Sequence, residues 1–277
     1  MFWVTVYLLS LIYGIPIAKF MTLEKGSLIL IDYTAKVKET DLTFETTREE
    51  EAKKSDLYDM TRRYEPRLIS VGEGWVLSGL DEALTNASAG DKLRIEIPPD
   101  KGFGERDQNK VRMIPLRKLG DKADEARVGD TIELDERVGI VRFIGSGRVQ
   151  VDFNHRFAGR TLIYDLEITK KLDDDSEKVL SIIKRRLPID DQKIKFNIEG
   201  SGVQIDLPEE TFLVDGLQII KSAISNDIFK FVPRVNNAKF VETYALKSSV
   251  SKKQDDQDDQ KRQSLEKSTE VSQPTSA

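Results

Sequence analysis

Alternation of apolar and polar residues dominates the first two thirds of the chain. Between Gly26 and Val37, Ile29, Ile31, Tyr33 and Ala35 point one way and Leu28, Leu30, Asp32 and Thr34 the other, which predicts a mostly buried strand. Leu42 to Thr46 continues the β pattern, Arg48 to Lys54 reads as a charged helix, and Tyr58 to Arg67 reads as a solvated surface connection. Leu68 to Gly72 predicts a short strand, and the apolar face Trp75, Val76, Leu77, Leu80, Ala83 and Leu84 predicts a helix over 75–84. Gly90-Asp91 turns the chain into an alternating run from Lys92 to Pro98. After a polar break at 105–109 come Val111 to Leu116, Thr131 to Leu134, Gly139 to Ile144 and Arg148 to Phe153, the last two joined by a Gly145-Ser146-Gly147 turn. Thr161 to Thr169 alternates once more.

The pattern then changes. Asp173-Asp174-Asp175-Ser176 suits a helix start, where negative charge meets the positive end of the peptide dipoles. Val179, Leu180, Ile182, Ile183 and Leu187 form its apolar face, and Pro188 stops it. A hairpin follows (Ile194 to Ile198, Gly200-Ser201-Gly202, Val203 to Leu207), then a helix from Thr211 to Phe231 and a strand from Ala238 to Tyr244. That α-β-β-α-β order suffices for a small core of its own. From Ser248 onward almost every residue is polar or charged, so the tail cannot bury enough apolar area to offset ordering and is expected to be disordered.

The N-terminal run from Phe2 to Ala18 is uncharged and slightly short for a bilayer span, with Gly14 and Pro16 weakening its end. Three readings stay open: an unused extension upstream of a start at Met21, a membrane anchor over residues 1–18, or a signal peptide, although no basic residue precedes the apolar run.

Composition narrows the chemistry. The formal net charge of −5 argues against a nucleic-acid partner. There is no cysteine, so disulfides, thiol catalysis and Cys-based zinc sites are out. His155 is the only histidine, too few for a poly-His metal site, so neither metal nor cofactor is expected. His155 itself suits a local hydrogen bond at a turn.

Several ordered motifs carry a resemblance. Ile31-Asp32-Tyr33-Thr34, Phe44-Glu45-Thr46-Thr47, the run Val71-Gly72-Glu73-Gly74-Trp75-Val76-Leu77-Ser78-Gly79-Leu80, the loop Pro98 to Gly104, and Asn154-His155-Arg156-Phe157-Ala158-Gly159 stand in the order and spacing of a known family. Residues 23–172 resemble an archaeal long-type FKBP, close in arrangement to the SlyD group. The resemblance implies an α+β fold: an FKBP-type antiparallel sheet wrapped on a short helix (21–106 and 153–172), an inserted-in-flap β domain (107–152), and a C-terminal α-β-β-α-β domain (173–245). Residues 1–20 and the polar tail 246–277 flank these.

It also implies the activity, cis-trans isomerisation of X–Pro bonds in unfolded or partly folded proteins, with the flap grasping extended chains. Tyr33, Phe44, Glu45, Phe103 and Tyr164 are implied as catalytic, with Val76, Leu77 and Leu80 binding substrate. Glu45 stands where aspartate is usual and is expected to orient Tyr33 or a neighbouring loop rather than move a proton. Leu80 stands where short members carry a tryptophan, which implies a more open floor, and Arg156 replaces a proline of the motif. The metal-binding tail of the SlyD group has no counterpart here. A cytoplasmic location follows unless residues 1–18 anchor the chain. Two other readings remain: a holdase with incidental isomerase activity, and an assembly module that forms a homodimer through the apolar arc Phe212, Leu213, Leu217, Ile220, Ile224 and Phe231.

Overall fold

The computed structural model describes residues 23–123, 125–187 and 189–245. The N-terminal extension, the start at Met21, the helix stop at Pro188 and the polar tail lie outside the described residues.

Both faces of β1 (Leu28–Val37) are covered, and each face belongs to a different core. One edge of β1 runs antiparallel to β9 (Leu162–Lys171). Its other edge is shared, with β3 (Arg67–Ser70) against Leu28 to Ile31 and β2 (Leu42–Thr46) against Thr34 to Val37. β4 (Lys92–Ile97) adds to the far side of β9 and completes a five-stranded antiparallel sheet. A short helix, α1 (Glu49–Lys54), follows β2. On one face of the sheet Ile29, Ile31, Tyr33 and Ala35 pack with Leu162, Leu166 and Ile168 against Leu80 and Leu84 of α2 (Ser78–Leu84).

That helix starts later than the apolar pattern predicts. Gly72 and Gly74 adopt left-handed φ values of 71° and 68°, and their N–H groups donate to the Asp81 carboxylate at 2.7 and 2.9 Å. Asp81 thereby folds the preceding turn back over the helix start. Trp75, Val76 and Leu77 therefore hang in a turn instead of joining the helix.

Between β4 and β9 the chain leaves the sheet and builds a four-stranded antiparallel sheet of β5 (Val111–Pro115), β6 (Thr131–Leu134), β7 (Arg137–Gly145) and β8 (Arg148–Asp152), in the order β5-β8-β7-β6. Its buried core is small: Ile132, Val141, Val149 and Val151.

After β9, α3 (Asp175–Arg186) is capped by Asp174, whose carboxylate accepts from the N–H groups of Ser176 and Glu177. β10 (Lys195–Glu199) and β11 (Gly202–Leu207) form the expected hairpin. The following helix, α4 (Leu217–Phe231), is shorter than its pattern: Glu209–Thr211 is a separate 3₁₀ turn, and Gly216 at φ 73° breaks the chain between them. β12 (Asn237–Glu242) then pairs parallel to β11, because α4 carries the chain back to the same end of the sheet.

The core of this last unit does not stop at its own border. Ile182, Ile183, Ile224, Ile228 and Phe231 pack in one cluster with Leu28 and Leu68 from the outer face of the first sheet. Leu217, Ile224 and Phe231, three members of the arc offered for a homodimer, lie inside this cluster, whereas Leu213 is 94 % exposed. Among the described residues, no helix is long and apolar enough to cross a membrane.

Candidate functional site

A cavity of about 280 Å³ opens at the end of α2 and the adjacent edge of the first sheet. Leu80 rises from α2 as its floor, 2 % exposed. Val76 and Leu77, released from the helix by the Asp81 latch, form one wall together with Trp75. Tyr33 on β1 and Tyr164 on β9 form another, with ring centres 5.6 Å apart. Phe103 closes the mouth from the loop after β4.

That loop is held against α2 at three points. Ser78 Oγ donates to the Lys101 carbonyl at 3.0 Å, and Lys101 pairs with Glu82 at 2.5 Å. A side chain at Gly79 would meet Ile97 of β4 at 2.9 Å and Lys101 of the loop at 3.2 Å, so glycine allows the close approach. Behind Phe103 lies an aromatic stack. His155 lies almost parallel to it at 4.0 Å, and Phe157 sits 5.7 Å away. His155 Nδ1 also accepts from the Phe157 N–H, so it both bonds the turn and supports the ring. Arg156, at the position of the missing proline, lays its guanidinium over Phe157 at 4.4 Å.

The polar chemistry is confined to one corner. The Tyr33 hydroxyl donates to Glu45 Oε1 at 2.9 Å and accepts from Arg67 Nη1 at 2.8 Å. Arg67 also donates to Glu45 at 3.0 Å, closing a triangle. Burial, the largest influence, pushes the Tyr33 hydroxyl up to about 12 against the pull of Arg67. Burial also raises Tyr164, with Glu45 adding to it. Both phenols are therefore neutral donors at any ordinary pH. They differ in use: Tyr33 is committed to Glu45, whereas the Tyr164 hydroxyl makes no hydrogen bond within the described residues and is free for a ligand.

Seven of the eight expected residues line the cavity; Phe44 does not. It packs behind the wall, 4.5 Å from Phe157 and 6.3 Å from Tyr164. The sequence reading missed Arg67, which it left in a surface connection, and the aromatic backing of His155 and Phe157. Arg67 becomes visible only through strand register: it sits opposite Ile31, so it shares the face that Ile31 gives to the core and the pocket. Among the described residues no group of three or more His, Cys, Asp or Glu side chains is placed to hold a metal ion.

Comparison with known proteins places the chain. Residues 21–119 match the family described as FKBP-type peptidyl-prolyl cis-trans isomerase, residues 112–157 the FKBP26 IF domain, and residues 175–245 the FKBP26 C-terminal family. The short-type peptidyl-prolyl cis-trans isomerase of Methanocaldococcus jannaschii is 30% identical over 155 residues, 56% of this chain and 98% of the relative. The chain belongs to the FKBP-type peptidyl-prolyl cis-trans isomerases. A probable 16 kDa FKBP-type isomerase of Pseudomonas fluorescens is 33% identical, over 41% of this chain and 77% of its own length. The 16 kDa FKBP-type isomerase of Escherichia coli is 26% identical, over 53% and 92% respectively.

For an FKBP-type isomerase an apolar, aromatic-walled cavity is chemically sufficient. Rotation about X–Pro must overcome a barrier of roughly 18–20 kcal/mol set by amide resonance, and no bond to a second group is made. The twisted amide has lost its dipolar resonance form, so it is less costly to desolvate than the planar one. Apolar surroundings that bind the twisted state better than the planar one are therefore enough to speed the rotation.

Proposed function

We propose that this isomerase acts on unfolded and partly folded proteins, turning their prolyl bonds in the Leu80-floored pocket while the inserted sheet holds the flanking chain. The observation that carries the reading is the pairing of two surfaces. The pocket presents apolar walls and one uncommitted donor, Tyr164. The inserted sheet exposes Met113, Val138 and Phe143 at 47%, 62% and 53% around a core of only four buried residues. Large apolar side chains left open to water on a small sheet suit an extended partner.

In the pocket, Tyr33, Phe103 and Tyr164 take the proline ring against Leu80, with Val76 and Leu77 beside it. Tyr164 donates to a carbonyl flanking the twisting bond. Glu45 orients Tyr33 through its 2.9 Å bond, and Arg67 fixes Glu45; neither transfers a proton. Phe44 acts at one remove, by holding Phe103 and Tyr164 in place.

The test is refolding of a proline-limited protein, compared with isomerisation of a short prolyl peptide, for the full chain and for a variant lacking residues 107–152. Removal is expected to lower protein turnover by roughly tenfold or more, equivalent to ~1.4 kcal/mol or more, while the peptide rate is retained. Unchanged protein turnover would overturn the role given to the inserted sheet. The same exposed residues also favour a second reading, a holdase with incidental isomerase activity. Tyr164→Ala combined with Phe103→Ala separates the two: that reading requires aggregation suppression to survive when isomerisation is lost.

A further inference from the structure

Next to the prolyl pocket lies a larger cavity of about 590 Å³, bounded by β3, the 62–66 connection that precedes it and the last turns of α3. The two cavities adjoin: Tyr33, Glu45 and Arg67 line both. The larger cavity is built from charge. Arg62, Arg63, Arg67, Lys184, Arg185 and Arg186 line it, with side chains 20–52% exposed.

Four carboxylates answer these six cations, and each is shared. Glu45 faces Arg62 and Arg67, Glu65 and Asp191 each face Arg63 and Lys184, and Asp227 faces Arg185 and Arg186. Six cations against four carboxylates leave two positive charges, in a chain whose formal net charge is −5. Guanidinium groups carry five N–H donors each, more than one shared carboxylate can fill. The crowding registers on Arg185, which burial first and then Arg186 hold below the ordinary arginine value.

We propose that this basic groove is a specificity site of the isomerase, taking acidic residues of the same client polypeptide whose prolyl bond lies in the adjacent pocket. The shared walls decide the occupant: what fills the groove is continuous with what enters the pocket, so it is polypeptide, and the excess of cations selects its acidic stretches. The groove is assembled from two distant parts of the sequence, the connection before β3 and the end of α3. The C-terminal unit thereby contributes to substrate choice. This inference rests on the reading of the Leu80 pocket as the prolyl site.

The experiment measures isomerisation by exchange NMR on three peptides sharing one Leu-Pro core, flanked on either side by glutamates, glutamines or lysines. With the full-length chain at low salt, the glutamate peptide is expected to exceed the glutamine peptide in kcat/KM by about fivefold to tenfold, and the lysine peptide to fall below it, as for partly exposed charge pairs. The advantage is expected to vanish near ~1 M salt, where screening acts within about 3 Å. Lys184→Gln with Arg63→Gln brings cations and carboxylates to four each. That variant is expected to lose the glutamate advantage and keep the glutamine-peptide rate, which also reports that it has folded. Equal rates for glutamate and glutamine peptides at low salt, or an advantage that persists in the double variant, would overturn the groove. If the unmodified chain turned over none of the three peptides, the pocket reading would fall and the groove with it.

Discussion

The inserted sheet and the C-terminal unit flank the same five-stranded sheet but are joined to it by different chemistry. At the inserted sheet the junction is polar. Asn154 bridges the two crossing segments, accepting from the Asp107 N–H and donating to the Asp107 carbonyl, both at 2.9 Å. Asp152, 2% exposed, takes Arg106 at 2.6 Å and Arg142 at 3.3 Å. At the C-terminal unit the junction is the core itself: Leu28, Leu68 and Trp75 pack among Ile182, Ile183 and Phe231. Polar hinges hold direction while leaving the two cores independent. A shared apolar core makes two units one cooperative body. The first arrangement suits a part that must meet varied partners, the second a part that must hold a site in shape.

The sharpest way to break this contrast is to hollow each side in turn. Phe231 sits edge-on to Trp75 with centres 5.5 Å apart, and Trp75 lines the Leu80-floored cavity. Phe231→Ala is expected to cost about 3–5 kcal/mol and to lower peptide turnover as well, since Trp75 loses its backing. Val141→Ala, at the fully buried centre of the inserted sheet, is expected to loosen that sheet and leave peptide turnover unchanged. Calorimetry with a peptide assay on both variants decides the matter. A fall in peptide turnover for Val141→Ala equal to that for Phe231→Ala would end the distinction.

Alkaline pH probes the same contrast with no mutation. No tyrosine lies between residues 107 and 152, whereas Tyr33 and Tyr164 stand in the first sheet. The folded-state value of Tyr33, about 12, lies above its ordinary 10, so folding favours its neutral form. The stabilisation is complete below pH ~10 and is lost as pH rises toward ~12, a span of roughly 2–3 kcal/mol. Denaturant midpoints between those pH values are expected to fall, and Tyr33→Phe to flatten that fall in part. A midpoint independent of pH across this window would show that the hydroxyl is not desolvated as its contacts require.

How far the sequence alone reaches follows the same division. Strands are legible where alternation is strict, as in β9, because burial of one face imposes a period of two, whereas β1, covered on both faces, shows as a mostly apolar run. The cavity-lining residues Tyr33, Val76, Leu77, Leu80, Phe103 and Tyr164 were legible through motif order, which periodicity could not supply. Helix starts were not. Trp75 to Leu77 continue the apolar face of α2 in sequence, yet one carboxylate, Asp81, captures two glycine N–H groups and bends them away. Arg67 was invisible for another reason: its role depends on facing Ile31 across a strand pair, a relation that no local window contains. Nor does any pattern distinguish a core that ends at its own unit from one that continues into the next. Leu28 and Leu68 read simply as strand residues.

The smallest expected change in stability accompanies a large one in function, and it falls on the inserted sheet. Phe143 and Met113 are 53% and 47% exposed, and neither belongs to the buried core of β5 to β8. Replacing both by serine is expected to shift stability by less than about 0.5 kcal/mol, the usual scale for surface sites. If those side chains are the holding surface, protein refolding slows severalfold while the peptide rate stands still, because the Leu80 pocket and its C-terminal support are untouched. The sheet could be open in this way only because its fold needs so little of its apolar surface: its buried apolar core is Ile132, Val141, Val149 and Val151. A double serine variant that refolds proline-limited clients at the full rate would move the holding surface elsewhere, with Val138 the next exposed apolar side chain to test.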